Sequence, residues 1–195
     1  KNVFVEKPLC LNLNELDKIE SSYLNIVNKN KSGEKTPLIM IGFNRRFAPL
    51  TLKLKSIIKN RPSVKSIIYT CNAGKISDDH WLYSPKYGGG RIIGEAIHFI
   101  DLVRFLIDSP IIEIKVNFAK NTINKQDNFV INISFADGSI GVVNYFSNGS
   151  RKFPKERIEV FSSGKVYQID NFKTLKTWGE KNFFGEKVLI QNKGQ

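Results

Sequence analysis

Residues 129–146 read FVINISFADGSIGVVNYF, a stretch that predicts two strands joined by a tight turn. Apolar and polar side chains alternate along residues 129–135, as they do in a strand with one buried face. Asp137-Gly138 is a residue pair that two-residue hairpin turns prefer, and residues 140–146 form the returning strand. We therefore expect an antiparallel hairpin at this point of the chain.

Similar alternation recurs on both sides of this hairpin. Residues 112–118 predict a half-buried strand with one wet face, because Ile, Val and Phe alternate with Glu, Lys and Asn. Residues 157–161 and 166–169 predict a second hairpin through a Ser-Gly turn, and residues 188–190 a last strand. Helix-spaced apolar residues after Pro49 place a helix beside these strands. The expected class is α+β, a predominantly antiparallel open sheet with helices on one face.

The first 43 residues follow another pattern. Val3-Phe4-Val5 predicts a strand, and residues 38–43 predict a short buried strand. Between them lies an amphipathic helix, whose apolar face comprises Leu16, Ile19, Tyr23, Ile26 and Val27. A strand, a helix and a strand normally form a parallel crossover within a larger α/β sheet. We therefore predict that residues 1–43 are the terminal piece of an α/β domain and that residues 44–195 form a second domain.

Composition narrows the class of protein. The chain has 195 residues, 41% of them hydrophobic, and 30 Lys and Arg against 18 Asp and Glu give a net charge of +12. This apolar content excludes intrinsic disorder, and no apolar run approaches the roughly 18 residues of a membrane helix. The basic excess is scattered Lys rather than a stripe, so we predict neither a nucleic-acid nor a membrane partner.

The cysteines and histidines predict neither a disulfide nor a metal site. Cys10 and Cys71 lie far apart in dissimilar contexts, which favours a reducing, cytoplasmic location. His80 and His98 form no metal-ligand spacing with them, so no metal ion is expected.

Three parts of the chain carry candidate site residues. Lys7 follows the opening strand at its carboxyl end, where α/β sheets bind ligands, although a surface lysine is the alternative. Arg91, Glu95 and His98 share one arc of a regular, largely apolar helix, either as a pocket wall or as a satisfied structural network. The loop Asp78-Asp79-His80-Trp81 offers groups that could hydrogen-bond to and stack on a sugar or ring, or that could simply decorate the surface.

Taken in order, the motifs of this chain resemble the glucose-fructose oxidoreductase/inositol dehydrogenase (Gfo/Idh/MocA) family. The matching pieces are Val5-Glu6-Lys7-Pro8-Leu9, Gly42-Phe43-Asn44-Arg45-Arg46-Phe47-Ala48-Pro49, Asn72-Ala73-Gly74, Asp79-His80-Trp81 and residues 88–101, GGGRIIGEAIHFID. The resemblance implies a two-domain NAD(P)-dependent oxidoreductase that transfers a hydride to or from a sugar, sugar derivative or nucleotide-sugar. Residues 1–43 would then be the terminal fragment of a Rossmann domain, and residues 44–195 the substrate-binding and oligomerisation domain.

The resemblance also implies roles for individual residues. Lys7 would lie beside the nicotinamide and substrate, with Glu6 and Pro8 next to it at the cofactor, and His98 would be the acid/base. Family members commonly have an Asp four residues before that histidine, a position that is Gly94 here, and we expect the neighbouring Glu95 to take over part of its role. The implied substrate contacts are Asn44, Arg45, His80, Trp81 and Arg91.

Two further expectations follow from the resemblance. The cofactor, NAD or NADP, would be bound mainly by the preceding half of the Rossmann domain, because the Gly-x-Gly-x-x-Gly fingerprint is absent from this chain. The isolated chain is therefore expected to be inactive. A homo-oligomer is expected through the open face of the sheet. The alternative to an enzyme is a catalytically lapsed oligomerisation or interaction domain of the same family.

Overall fold

The computed structural model describes residues 1–29, 35–59, 63–84, 86–120, 126–181 and 185–194. The chain forms two compact units, one of Lys1–Phe43 with Asp78–Ile97 and the other of Asn44–Ser77 with His98–Gln195. Residues 78–97 thus belong to the first unit, whereas the two-range division of the sequence put them in the second domain. The identity of the two predicted domains stays a prediction.

The first unit contains a two-stranded parallel sheet. Strand β1 (Val3–Val5) pairs in parallel with β2 (Ile39–Ile41), and helix α1 (Leu13–Lys29) connects them. The Asn12 side chain accepts a hydrogen bond from the amide of Glu15, which begins α1 as an N-cap does. The expectation of a buried strand at residues 38–43 is wrong, because Ile39 and Met40 of β2 are exposed. Helix α1 likewise has no buried residues.

The second unit is built on an eight-stranded sheet. Its helices are α2 (Pro49–Ile58) and α3 (Ile97–Ile107). Its strands are β3 (Ser66–Asn72), β4 (Ile111–Phe118), β5 (Phe129–Phe135), β6 (Ile140–Phe146), β7 (Glu156–Ser162), β8 (Lys165–Asp170), β9 (Thr174–Trp178) and β10 (Gly185–Lys187). The strand order is β10-β9-β8-β7-β3-β6-β5-β4, and within the described residues of this sheet β3 with β6 is the parallel pair. The predominantly antiparallel sheet of the sequence prediction is confirmed.

One face of this sheet forms the core of the second unit. Inward residues are aligned across the strands, so that Ile131, Val143, Tyr69 and Ile158 follow one another in register. All four are at most 1% exposed. Helix α3 packs on this face, where the rings of Phe99 and Tyr69 stack with centroids 4.5 Å apart. The helices on one face are therefore confirmed.

Both predicted hairpins are present. The turn between β5 and β6 has Gly138 at φ +83°, and the turn between β7 and β8 has Ser163 and Gly164 at φ +52° and +70°. Tight hairpin turns require residues with a positive φ, the left-handed region of the backbone.

Two strand expectations are wrong. Residues 188–190 form no strand, and the last strand is instead β10. Strand β4 is not half-buried, because its residues from Ile112 to Phe118 are all exposed. The alternation correctly predicted that these residues form a strand. However, β4 lies at the edge of the sheet, and its apolar side chains remain uncovered.

Three further observations concern disulfides, membrane spans and metal sites. Neither Cys10 nor Cys71 forms a disulfide bond. In the described part of the chain, no helix has the length and apolar character needed to cross a bilayer. The same residues contain no group of three or more His, Cys, Asp or Glu that could hold a metal ion.

Candidate functional site

Lys7 is positioned by the end of strand β1. The Lys7–Pro8 peptide bond is cis, and the Lys7 ammonium donates a hydrogen bond to the carbonyl oxygen of Gly94. The carboxylate of Glu6 lies beside Gly42, just after β2. Within the first unit, the carboxyl end of the parallel sheet therefore meets the helical segment that carries Gly94 and Glu95.

That helical segment is a π-helix rather than a regular α-helix. Residues Ile92–Ala96 form the π-turn, which leads directly into α3. The sequence expectation of one regular arc is therefore wrong for this stretch, because a π-turn has more residues per turn than the 3.6 of an α-helix. Arg91 and Glu95 nevertheless form an ion pair at 3.1 Å, with the Arg91 side chain 2% exposed and that of Glu95 30% exposed.

Gly94 has no room for a side chain in this packing. A Cβ atom at this position would lie 2.2 Å from Cδ1 of Leu82 and 3.2 Å from the carbonyl oxygen of Gly88. Leu82 is buried within the short 3₁₀ helix Trp81–Tyr83. The absence of an acidic side chain at position 94 is therefore matched by a leucine that fills the space.

We expect Gly94→Ala to destabilise the protein by about 1–2 kcal/mol, because overpacking against Leu82 outweighs the better helix propensity of alanine. In a Leu82→Ala background the same substitution should become neutral or stabilising. Urea denaturation of the two single variants and the double variant measures this coupling. Equal effects of Gly94→Ala in both backgrounds would contradict the contact.

His80 and Trp81 have different environments. The Nδ1 atom of His80 accepts a hydrogen bond from the amide of Leu82 at 3.2 Å, so this imidazole caps the 3₁₀ helix. The ring of Trp81 is 61% exposed and lies 5.6 Å from the His80 ring. Trp81 is thus free to stack on a ligand, whereas His80 also has a structural task; both substrate contacts stay predictions.

The second unit contains a buried ionic cluster around Glu156, the first residue of β7. Arg45 donates from Nε to Oε2 of this carboxylate at 2.8 Å and from a terminal nitrogen to Oε1 at 3.2 Å. The ammonium of Lys193 donates to Oε1 at 2.6 Å, and the Tyr69 hydroxyl donates to Oε2. The Glu156 side chain has no exposed surface. Arg45, predicted as a substrate contact, is thus held against a carboxylate of its own chain.

The cluster shifts the pKa values of its members. Burial alone would raise the pKa of Glu156, but the hydrogen bond and charge of Arg45, followed by the charge of Lys193, lower it to about 2. Burial and the charge of Glu156 raise the pKa of Tyr69, so its hydroxyl remains a donor. Burial alone would lower the pKa of the Arg45 guanidinium. The hydrogen bond and the charge of Glu156 outweigh this effect, so the pKa is raised.

The remaining predicted residues of the second unit are Asn44 and His98. The 3₁₀ helix Asn44–Phe47 begins with Asn44, whose Oδ1 is buried and, among the described residues, accepts no hydrogen bond. The role of Asn44 as a substrate contact stays a prediction. His98, in the first turn of α3, is 9% exposed. The next turn of α3 is tied to the 3₁₀ helix by Arg46, which donates to Asp101 with Nε at 2.6 Å.

A sequence profile of the GFO/IDH/MocA C-terminal domain matches residues 63–167, more than half of the chain. The chain belongs to the GFO/IDH/MocA family. Its relatives in this family include the myo-inositol 2-dehydrogenase of Thermotoga maritima, which is 26% identical over 97% of this chain and 56% of its own length. The chain spans about half the length of the curated relatives it matches.

Solved structures show the same fold. A levoglucosan dehydrogenase in complex with NADH and L-sorbose is 16% identical, with a TM-score of 0.72 over 98% of this chain and 54% of its own. A super-repressor mutant of Gal80p from Saccharomyces cerevisiae is 15% identical, with a TM-score of 0.75 over 99% of this chain and 55% of its own. At these identities, the likeness concerns the GFO/IDH/MocA fold alone.

Leu82 and the partners of Arg45 were not predicted from the sequence of this GFO/IDH/MocA chain. One signal was available for Glu156, which precedes Ile158 and Val160 in the inward phase of β7. An acidic residue in that phase requires a buried cation. No local signal identifies Lys193, because 37 residues separate it from Glu156 in sequence.

Proposed function

We propose that this chain is the carboxyl-terminal portion of an NAD(P)-dependent oxidoreductase. The reaction is hydride transfer between the nicotinamide and a CH–OH group of a sugar, sugar derivative or nucleotide-sugar. Family membership and the myo-inositol 2-dehydrogenase among its relatives support this proposal. Because the chain corresponds to about half of that relative, the activity belongs to the full-length protein.

The observation that carries the proposal is the contact between Lys7 and Gly94. It joins the end of a parallel strand, where α/β sheets bind ligands, to the π-turn that bears Glu95. π-turns occur frequently at functional sites. A cation, a carboxylate and an irregular helix therefore converge within the first unit.

The proposed roles of the side chains follow from their chemistry. When the substrate is oxidised, His98 accepts the proton of the reacting hydroxyl as the hydride leaves the carbon. The proposed role of Lys7 is to donate a hydrogen bond to the substrate, and that of the Glu95 carboxylate, held by Arg91, is to orient it. Asn44, Arg45, His80, Trp81 and Arg91 are the proposed substrate contacts.

The residues of the first unit fit the nicotinamide end of a dinucleotide. Glu6, Lys7 and Pro8 follow β1 at the carboxyl edge of a parallel sheet, and the Lys7 ammonium donates a hydrogen bond to the Gly94 carbonyl. When bound, the cofactor supplies the hydride acceptor or donor. The choice between NAD and NADP is made outside these residues.

The open face of the large sheet is the proposed oligomer interface. On the side away from α3, exposed apolar residues form one row in register, with Ile140 on β6, Phe161 on β7 and Trp178 on β9. Their exposed fractions are 52%, 39% and 49%. Such a row on one sheet face fits a second copy of the chain, related by a two-fold axis.

The enzyme proposal is tested by measuring the reduction of NAD or NADP by the full-length protein. Nicotinamide absorbance reports the reaction with each member of a panel of inositols, sugars and nucleotide-sugars. With an active substrate, Lys7→Met should lower kcat/KM by roughly ten- to a hundredfold, because a charged hydrogen bond to the reacting oxygen is lost. Lys18→Met, on the exposed part of α1, is the matched control and should leave kcat/KM unchanged. Equal turnover of the Lys7→Met variant and the wild type would contradict the role of Lys7.

A lapsed active site is the second candidate function. It is favoured by Gly94, where Leu82 fills the space that an acidic side chain would need. This candidate predicts no hydride transfer with any substrate of the panel, together with a stable oligomer. Turnover of any panel substrate that Lys7→Met reduces would exclude it.

A further inference from the structure

Strand β4 presents an open hydrogen-bonding edge. It is the last strand of the eight-stranded sheet and, among the described residues, pairs with β5 alone. Large apolar side chains extend along it: Ile112, Ile114, Val116 and Phe118 are exposed by 67%, 46%, 38% and 38%. An open edge of this length and apolarity is a template for pairing with another strand.

The usual protection of sheet edges is weak in β4. A bulge at Ile112 interrupts the pairing with β5 only at the start of the strand, and the ladder is regular from Glu113 to Phe118. The single lysine of the strand, Lys115, is neutralised by Glu113, with 3.0 Å between Nζ and Oε1. Edges that must stay unpaired commonly carry unneutralised lysines, prolines or bulges.

We propose that β4 pairs with β4 of a second copy, antiparallel and about a two-fold axis at Ile114. In this register Glu113 lies opposite the partner's Lys115, and Lys115 opposite the partner's Glu113. Directly opposite residues share a face of the sheet, so the two ion pairs lie on one face and Ile114 meets its counterpart on the other. The register centred on Lys115 would instead place two ammonium groups together.

The charges of β4 favour this occupant over others. The strand carries one acid and one base, which gives no advantage to a strongly acidic or a strongly basic partner. The same strand in reverse supplies the complementary order of charges together with matching apolar residues. The edge is separate from the open face, so the two interfaces together would assemble four chains. This interface does not depend on the proposed enzymatic activity.

Charge reversal tests the pairing in the full-length protein. Lys115→Glu leaves β4 with two acids and Glu113→Lys leaves it with two bases, so each variant alone should lose one association step and bind itself about tenfold or more weakly. Mixing the two variants should restore that step, because acids on one chain then face bases on the other. Sedimentation velocity measures both results. Lys187→Glu, on the edge strand β10 at the other end of the sheet, is the matched control.

Three results would overturn the proposal. One is a wild-type protein that shows no association through this edge at the concentrations tested. Another is weakened association of both variants without rescue on mixing, which would assign Glu113 and Lys115 to stability within one chain. The third is hydrogen exchange in which the outward β4 amides stay protected in the dissociated variants, because another segment of the same chain would then cover the edge. Circular dichroism of each variant checks that it is folded.

Discussion

His98→Ala should lower the turnover of the full-length enzyme by roughly 10²–10⁴-fold, the range that general acid–base catalysis contributes. The residue is 9% exposed in the first turn of α3, and its proposed role is proton exchange with a substrate hydroxyl. Steady-state kinetics with an active substrate gives the change in kcat.

Two controls separate catalysis from folding in this experiment. Arg104→Ala lies on the same helix at an exposed position and should retain wild-type turnover. His98→Gln keeps most of the side-chain volume and should remain as inactive as the alanine variant. Near-wild-type turnover of His98→Gln would show that His98 fills space and does not exchange the proton.

Glu156→Gln should destabilise the protein by about 3 kcal/mol, the largest stability effect that the structure indicates. The substitution leaves the guanidinium of Arg45 and the ammonium of Lys193 beside an uncharged amide, and removing one member of a buried ion pair typically costs about 3–5 kcal/mol. Urea denaturation measures the loss. Glu159→Gln, on the same strand but half-exposed, should change stability by about 0.5 kcal/mol or less.

The pH dependence of stability gives an independent check on Glu156. Its pKa is lowered from 4.5 to about 2 in the folded protein, so its contribution is complete above the unfolded value and is lost as the pH falls through 4.5 towards 2. The shift corresponds to about 3 kcal/mol. Unfolding free energies measured from pH 6 to pH 2.5 should therefore fall less steeply for Glu156→Gln than for the wild type. Parallel curves would contradict the lowered pKa.

Much of the fold follows from local patterns in the sequence. The period of two along β5 and β6 and the Asp137-Gly138 turn predict the hairpin, because both depend on neighbouring residues. Burial of β4 could not be predicted in this way. The alternation indicates which side chains share a face, but whether a helix covers that face is decided by strand order across the sheet. Residues 188–190 illustrate the same limit, since an apolar run of three matches a strand and equally matches an exposed segment.

The candidate site was predictable in its residue types and less so in its contacts. Lys7 stands out in sequence because it follows a strand at its carboxyl end, and Glu95 because it is a charged group in a largely apolar helix. The π-turn at Ile92–Ala96 could not be foreseen from a period of 3.6, so the spacing of Arg91 and Glu95 gave the ion pair but not the path of the helix. The partners of Arg45 were hidden by distance along the chain, because 111 residues separate it from Glu156.

The parallel pair of β3 and β6 has a consequence for how the chain folds. Strands β4 to β6 and β7 to β10 are two meanders in which each strand follows its neighbour in sequence. β3 alone bridges them, and its partners β6 and β7 begin 74 and 90 residues later. Contacts that are so distant in sequence close slowly, because the loop entropy is lost before they form. We therefore expect the two meanders to form early and independently, and the pairing of β3 with both to be the slow step that joins two small sheets into one.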